Sequence, residues 1–195
     1  MTIGCLFGTF DPPHQGHLAV ARHMREACGL DQVWLVVTPQ NPFKQDRPLT
    51  PDAHRLAMVR LAVAGHEGLV ASGFELDLPR PNYTAHTLRF MRDRWPHHAF
   101  ALIIGSDNLA TLHRWKEPEQ VLAHHRVLVY PRPGSVEAMA SAELSGHPAV
   151  QLVVDAPMVD ISSTALRADL RAWRPVNGRL SPAVLTYIRE HGLYQ

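Results

Sequence analysis

Gly8-Thr9-Phe10-Asp11-Pro12-Pro13-His14-Gln15-Gly16-His17 is a glycine-opened turn that follows an apolar run and closes on two histidines three residues apart. Ile3 to Phe7 is short and mostly apolar, which suits a buried strand, while Leu18 to Cys28 carries apolar side chains at helical spacing. The turn therefore joins a strand to a helix. At such a junction the free N–H groups of the first helical turn, with the positive end of the helix dipole, face any anion lying over the strand's carboxyl end. Gly8 and Gly16 lack side chains, so phosphate oxygens or a flat base can approach the main chain, and Pro12 and Pro13 stiffen that approach. His14 and His17, at i and i+3, share one face of the opening turn. The stretch reads as a phosphate cradle whose two imidazoles stabilise charge that develops in a transition state. The plainer reading is a turn with two exposed histidines at a helix start.

The same alternation continues outward. Gly29 stops the first helix, and Val33 to Thr38 is a β-branched apolar run of the kind covered on both faces of a sheet. Residues 39–51 hold four prolines together with Asn41, Lys44 and Arg47, and read as a long loop over the carboxyl edge. Thr50 is the expected cap, and Pro51 the first position, of a helix reaching Gly65. Leu69 to Ser72 reads as a third strand, extended by Phe74 to Leu78, whose acidic and apolar residues alternate as in a half-exposed strand. A helix over Tyr83 to Trp95, a strand over Ala99 to Ile104, a helix over Pro118 to His124 and strands at Val127 to Tyr130 and Val150 to Val154 follow. Ser135 to Pro148 matches no element beyond a loose helix or loop. Ser162 or Ser163 caps a helix through Trp173, and Ser181-Pro182 opens a last one ending at Gly192. The expected fold is a Rossmann-like, doubly wound parallel α/β sheet of about six strands with helices on both faces. Its ligands would bind where the strand order reverses.

The 195 residues, 46% hydrophobic and 19% charged, suit one globular domain, residues 1–195, on which the C-terminal helices of about 162–195 pack. A net charge of +1 with 13 histidines gives no broad basic field, so a nucleic-acid surface is not expected and small anionic partners fit better. Cys5 and Cys28 lie in predicted core segments with no CxxC spacing, and read as reduced residues. No charged leader precedes a long apolar segment, and no run approaches the roughly 18 apolar residues of a membrane span, so no membrane partner and a cytoplasmic address are expected.

His14-Gln15-Gly16-His17 behind Gly8-Thr9-Phe10-Asp11-Pro12 resembles the HxGH signature of the adenylyl- and cytidylyltransferase superfamily, whose members join a nucleoside triphosphate to a phosphate-bearing acceptor and release pyrophosphate. Ile161-Ser162-Ser163-Thr164-Ala165-Leu166-Arg167 resembles its second signature, ISSTxxR. Hydroxyls and N–H groups at a helix start offer an anion site there and Arg167 adds a planar cationic fork, although the serines serve equally as plain caps. Gly105-Ser106-Asp107 resembles the GxD element that lies near adenosine and its ribose. Pro81-Asn82-Tyr83-Thr84 with Thr87-Leu88, Leu112-His113-Arg114-Trp115 and His191-Gly192-Leu193-Tyr194 are similar to bacterial nicotinate mononucleotide adenylyltransferases. Three positions depart from that pattern: Phe7 replaces a common glycine, His86 an acidic residue, and Lys116 an aromatic or other residue.

The resemblance implies adenylyl transfer from ATP to nicotinate mononucleotide by in-line attack without a covalent intermediate, in NAD biosynthesis, with Mg²⁺ carried on the ATP phosphates and no metal held by protein ligands. It assigns catalytic roles to His14, His17, Lys44 and Arg167, and ATP contacts to Gly8, Thr9, Phe10, Gly16, Gly105 and Asp107 as well as to residues Ile161, Ser162, Ser163 and Thr164. Lys44, Tyr83, Thr84 and Trp115 fall to the acceptor, Trp115 as a face for a pyridinium ring or simply as a core or interface aromatic. Lys44 and Arg167 are expected to be exposed charges that matter little to folding. The pattern is compatible with a homo-oligomer. Phosphopantetheine adenylyltransferase and a non-catalytic nucleotide-binding regulatory module are the alternatives, while a dinucleotide-dependent oxidoreductase lacks its G-x-G-x-x-G.

Overall fold

The apolar run at Ile3 forms the central strand β1 (Thr2–Gly8), and the helical spacing after the turn forms α1 (Gln15–Ala27), which stops where Gly29 takes a φ of 62°. The computed structural model describes residues 1–39, 48–132 and 143–195. The elements that follow are β2 (Gln32–Val37), α2 (Asp52–Val63), β3 (Leu69–Ser72), α3 (Thr84–Arg94), β4 (Ala99–Gly105), a single helical turn α4 (Ser106–Leu109), α5 (Pro118–His124), β5 (Val127–Tyr130), β6 (Val150–Leu152), α6 (Ser163–Arg171) and α7 (Pro182–Glu190). All strand pairs are parallel, in the order β3-β2-β1-β4-β5-β6. Cys5 lies opposite both Trp34 of β2 and Leu102 of β4, so the order reverses between β1 and β4.

Side chains alternate across the strands and divide the core in two. Leu6, Leu35, Ile103 and Leu128 face α1, α2, α6 and α7, packing with Met24, Met58, Leu166 and Ile188. Cys5, Val36, Leu102 and Val129 face α3 and α5, packing with Leu88, Met91 and Val121. The doubly wound sheet is thus the expected one, and both cysteines are buried and free. Among the described residues no helix is long and apolar enough to cross a membrane.

Three local expectations are corrected. Phe74–Asp77 is a 3-10 turn rather than a strand extension. Its Glu75 is buried, accepting a 2.6 Å hydrogen bond from the Thr87 hydroxyl, and a tertiary contact of that kind overrides a short alternating pattern. Burial pushes the Glu75 carboxyl upward, against the Thr87 and Thr38 hydroxyls. Pro51, not Thr50, is the N-cap of α2, and no side chain caps it. β6 ends at Leu152, and Val154 is exposed. Ser162 and Ser181 cap their helices as expected, accepting from Ala165 N and Val184 N. Of the unassigned stretch, residues 135–142 lie outside the described residues.

Thr50 instead gives its carbonyl to Arg55, a fully buried arginine of α2. Arg55 Nε donates to Thr50 O at 2.9 Å, Nη1 to Thr9 O and Thr38 O at 2.7 Å each, and Nη2 to Pro39 O at 2.9 Å and to the Asp52 carboxylate. A guanidinium has five N–H donors, and every one is used. This single side chain ties the exits of β1 and β2 to the entry of α2. Arg55→Lys keeps the charge but concentrates three donors on one atom, leaving buried carbonyls unmatched. We expect it to cost about 3 kcal/mol. Thermal unfolding should show a Tm lower by about 8 °C, whereas a wild-type Tm would mean that the fork is dispensable.

Candidate active site

The carboxyl ends of β1 and β4 open onto the turn between β1 and α1. Phe10, at its centre, takes a φ of 47°, a left-handed conformation that a bulky residue adopts only when its surroundings hold it there. Its ring is buried against Gly8, where an added Cβ would come within 3.0 Å of it, and meets His17 edge-on at 5.0 Å. His17 in turn stacks on His14 at 3.7 Å. A Cβ on Gly16 would lie 3.0 Å from His14 Nδ1, which is buried and has no hydrogen-bond partner among the described residues. The two glycines therefore make room for the protein's own rings, not for an open approach to the main chain. Phe7 packs on the α3 side of the sheet, so it is Phe10 that fills the start of the turn.

The donors of the first helical turn are also partly engaged. Gln15 N–H donates to Arg179 O at 2.9 Å, and His14 N–H donates to His17 Nδ1 at 3.2 Å. The second bond fixes the neutral tautomer of His17. With Nδ1 accepting, the ring proton lies on Nε2, which becomes a hydrogen-bond donor.

The ISSTxxR segment reaches this turn from behind. Ser163 Oγ donates to Pro12 O at 2.9 Å across 151 residues of sequence. Arg167 donates to Asp11 O, and its Nη2 to Thr164 Oγ1 at 3.1 Å, with Asp11 Oδ2 at 3.9 Å. The other Asp11 oxygen accepts from the Tyr194 hydroxyl at 2.5 Å. Arg167 is only 5% exposed, so the expectation of an exposed charge irrelevant to folding is overturned. Charge type alone does not reveal burial, and the partner Asp11 lies 156 positions away in the sequence. Arg167→Ala is expected to cost about 3 kcal/mol, with a fall in Tm of about 8 °C, because it strips buried acceptors of their donor.

From β4, Gly105 and α4 bring Asp107 to the same edge, where it pairs with Arg132 at 3.5 Å. An added Cβ on Gly105 would meet Asp107 Oδ1 at 2.5 Å and Arg132 Nε at 2.6 Å. Arg132 follows β5, and its backbone N–H donates to Ser106 Oγ at 3.0 Å. The sequence alone assigns no site role to Arg132 or Arg55, and it marks Tyr194 only as part of the C-terminal match. For Arg132 the available signal was its place two residues beyond a strand, at the edge where the other site residues gather. Burial first, and then the Arg132 charge, lowers the His14 pKa to about 4; burial, His14 and Arg132 hold His17 well below its ordinary value.

Residues of the expected acceptor side lie at the start of α3 and beside the core on the α3 face of the sheet. Tyr83 is the N-cap of α3 and Thr84 its first residue, with the Tyr83 carbonyl accepting from Thr87 N–H at 2.9 Å. Trp115 is half-buried against the α3 side of the core. Lys44 lies outside the described residues. Among the described residues no three His, Cys, Asp or Glu side chains come together to hold a metal ion.

A histidine whose folded pKa is lowered, as His14's is from 6.5 to about 4, is protonated first in the unfolded chain. Its contribution is neutral above pH 6.5, destabilises increasingly as pH falls toward 4, and levels off below that. The Tm of His14→Asn should therefore fall less steeply than wild type over this interval. Parallel curves would contradict the lowered pKa.

Residues 5–169 match the Cytidylyltransferase-like family. A protein of Flavobacterium johnsoniae named probable nicotinate-nucleotide adenylyltransferase is 43% identical over 195 residues, the full length of both chains. One of the same name from Bacteroides fragilis is 44% identical over 181 residues, 93% of this chain and 88% of that one. The solved structure of Plasmodium falciparum nicotinic acid mononucleotide adenylyltransferase complexed with NaAD shares the fold, with a TM-score of 0.80 over 99% of this chain and 97% of that one at 20% identity. With both signatures joined by hydrogen bonds at the point where the strand order reverses, the chain belongs to the cytidylyltransferase-like family, in its nicotinate-nucleotide adenylyltransferase branch.

Proposed function

We propose that this chain, working as one domain in the cytoplasm, transfers AMP from ATP to nicotinate mononucleotide and releases pyrophosphate, a step of NAD synthesis. The observation that carries the reading is the contact between the two signatures: Ser163 and Arg167 bind the carbonyls of Pro12 and Asp11 in the turn that precedes His14 and His17. Together they frame one site for a triphosphate.

In this reaction an acceptor phosphate oxygen attacks the α-phosphorus of ATP. A new P–O bond forms as the bond to the β-phosphate oxygen breaks, and pyrophosphate leaves with the electron pair. No protein nucleophile is required, so the residues position groups and neutralise charge. The turn at residues Gly8, Thr9 and Phe10, with Gly16, borders the phosphates; His17 donates from Nε2 beside His14, and Lys44 and Arg132 supply cationic charge. Residues Ser162 and Thr164 extend the anion site, and Gly105 with Asp107 takes the adenosine side. Mg²⁺ carried on the ATP phosphates would neutralise part of their charge, and among the described residues no cluster of His, Cys, Asp or Glu would hold it apart from them. Tyr83, Thr84 and Trp115 receive the acceptor, the last stacking on its pyridinium ring.

Pyrophosphate release should be measured with ATP, Mg²⁺ and, in turn, nicotinate mononucleotide, its amide counterpart and phosphopantetheine. A pocket that presents N–H and O–H donors to a carboxylate sets the amide's NH₂ against them, so kcat/KM for the acid is expected to exceed that for the amide by roughly 10⁴. Equal values would refute the selectivity, and turnover with phosphopantetheine alone would overturn the acceptor assignment. In His17→Ala, kcat should fall by roughly 10² to 10³ with little change in ATP affinity. Undiminished turnover would remove that histidine from the mechanism.

A further inference from the structure

His86, where an acidic residue would fit the family pattern, is the third residue of α3 and points at the segment that carries Trp115. Its Nε2 lies 3.1 Å from Glu117 Oε1, each side chain about one-third exposed. Its ring also meets Tyr83 edge-on at 5.5 Å. Glu117 stands two residues beyond Trp115 in a left-handed conformation, φ 53°, which a non-glycine residue keeps only under constraint. Trp115 N–H donates to Leu112 O at 3.0 Å, so the segment from Leu112 to Glu117 is a short folded turn, not a free loop. One contact therefore joins the two elements on which the acceptor reading rests, the start of α3 and the Trp115 turn.

We propose that the His86–Glu117 pair is a positioning latch that holds Tyr83 and Trp115 at a fixed separation, and so sets the affinity for the pyridine mononucleotide acceptor. This inference rests on the acceptor assignment above. An acidic residue at 86 would repel Glu117, and another device would then have to hold the turn. Lys116 and Arg89 also present positive charge to Glu117 and strengthen its anionic form alongside the bond from His86. The latch makes no contact with the residues of the β1–α1 turn among the bonds described.

Steady-state kinetics of His86→Ala, Glu117→Ala and the double variant test this. Each single change should raise KM for nicotinate mononucleotide about two- to fivefold, the range expected for losing a partly exposed hydrogen-bonded pair. KM for ATP, kcat and Tm should stay at wild-type values. The double variant should be no worse than either single one, as for two partners of one contact. His86→Gln, which keeps an N–H donor, should restore much of the affinity. Additive effects, an equal rise in KM for ATP, or an unchanged acceptor KM would overturn the latch. Wild-type protein inert with nicotinate mononucleotide would overturn the acceptor assignment, and the latch with it; active wild type with unaffected variants would overturn the latch alone.

Discussion

The Arg55 guanidinium gathers four main-chain carbonyls and one carboxylate, with no donor left over. Turning the Thr9 carbonyl toward Arg55 directs the next N–H, that of Phe10, the opposite way, because the peptide unit is planar. One peptide further on, the two units that lead into Pro12 and Pro13 carry no N–H at all. What they could present to an anion is carbonyl oxygen, which would repel it. Those are the carbonyls that Arg167 and Ser163 hold. The cradle is thus built less by adding donors in front than by tying acceptors down behind.

The electrostatics follow from the same arrangement. Arginines lie behind and beside a turn whose histidines are desolvated, so both imidazoles are held in their neutral form at ordinary pH. Neutral histidine still donates one hydrogen bond, and a neighbouring polyanion would favour its second proton.

Much of this was legible because it is local. The strand-turn-helix at residues 3–28 follows from spacing alone, and the parallel sheet follows from repeating that spacing. The two signatures marked the residues that the fold then brought together. What escaped was of another kind. Phe74–Asp77 is too short for its alternation to distinguish a strand from a 3-10 turn, and the contact that decides it comes from Thr87. Arg55 belongs to no motif, and its burial depends on three segments converging. Phe10 was read for its main chain, whereas its side chain fills the space that Gly8 leaves. Arg167 was assigned to a ligand, and its guanidinium proves to be bound up with the protein's own backbone.

The bond from Tyr194 to Asp11 joins residues 183 positions apart. During synthesis the first strand and its turn emerge from the ribosome long before residue 194 exists, and until then the Asp11 carboxylate lacks one of its two partners. Burial of Tyr194 also pushes its phenol upward, so its proton stays available to Asp11 once the last turn has docked. The turn before His14 therefore draws its support from a residue far along the chain, and loss of the Tyr194 hydroxyl would be felt at Asp11 rather than where the change is made.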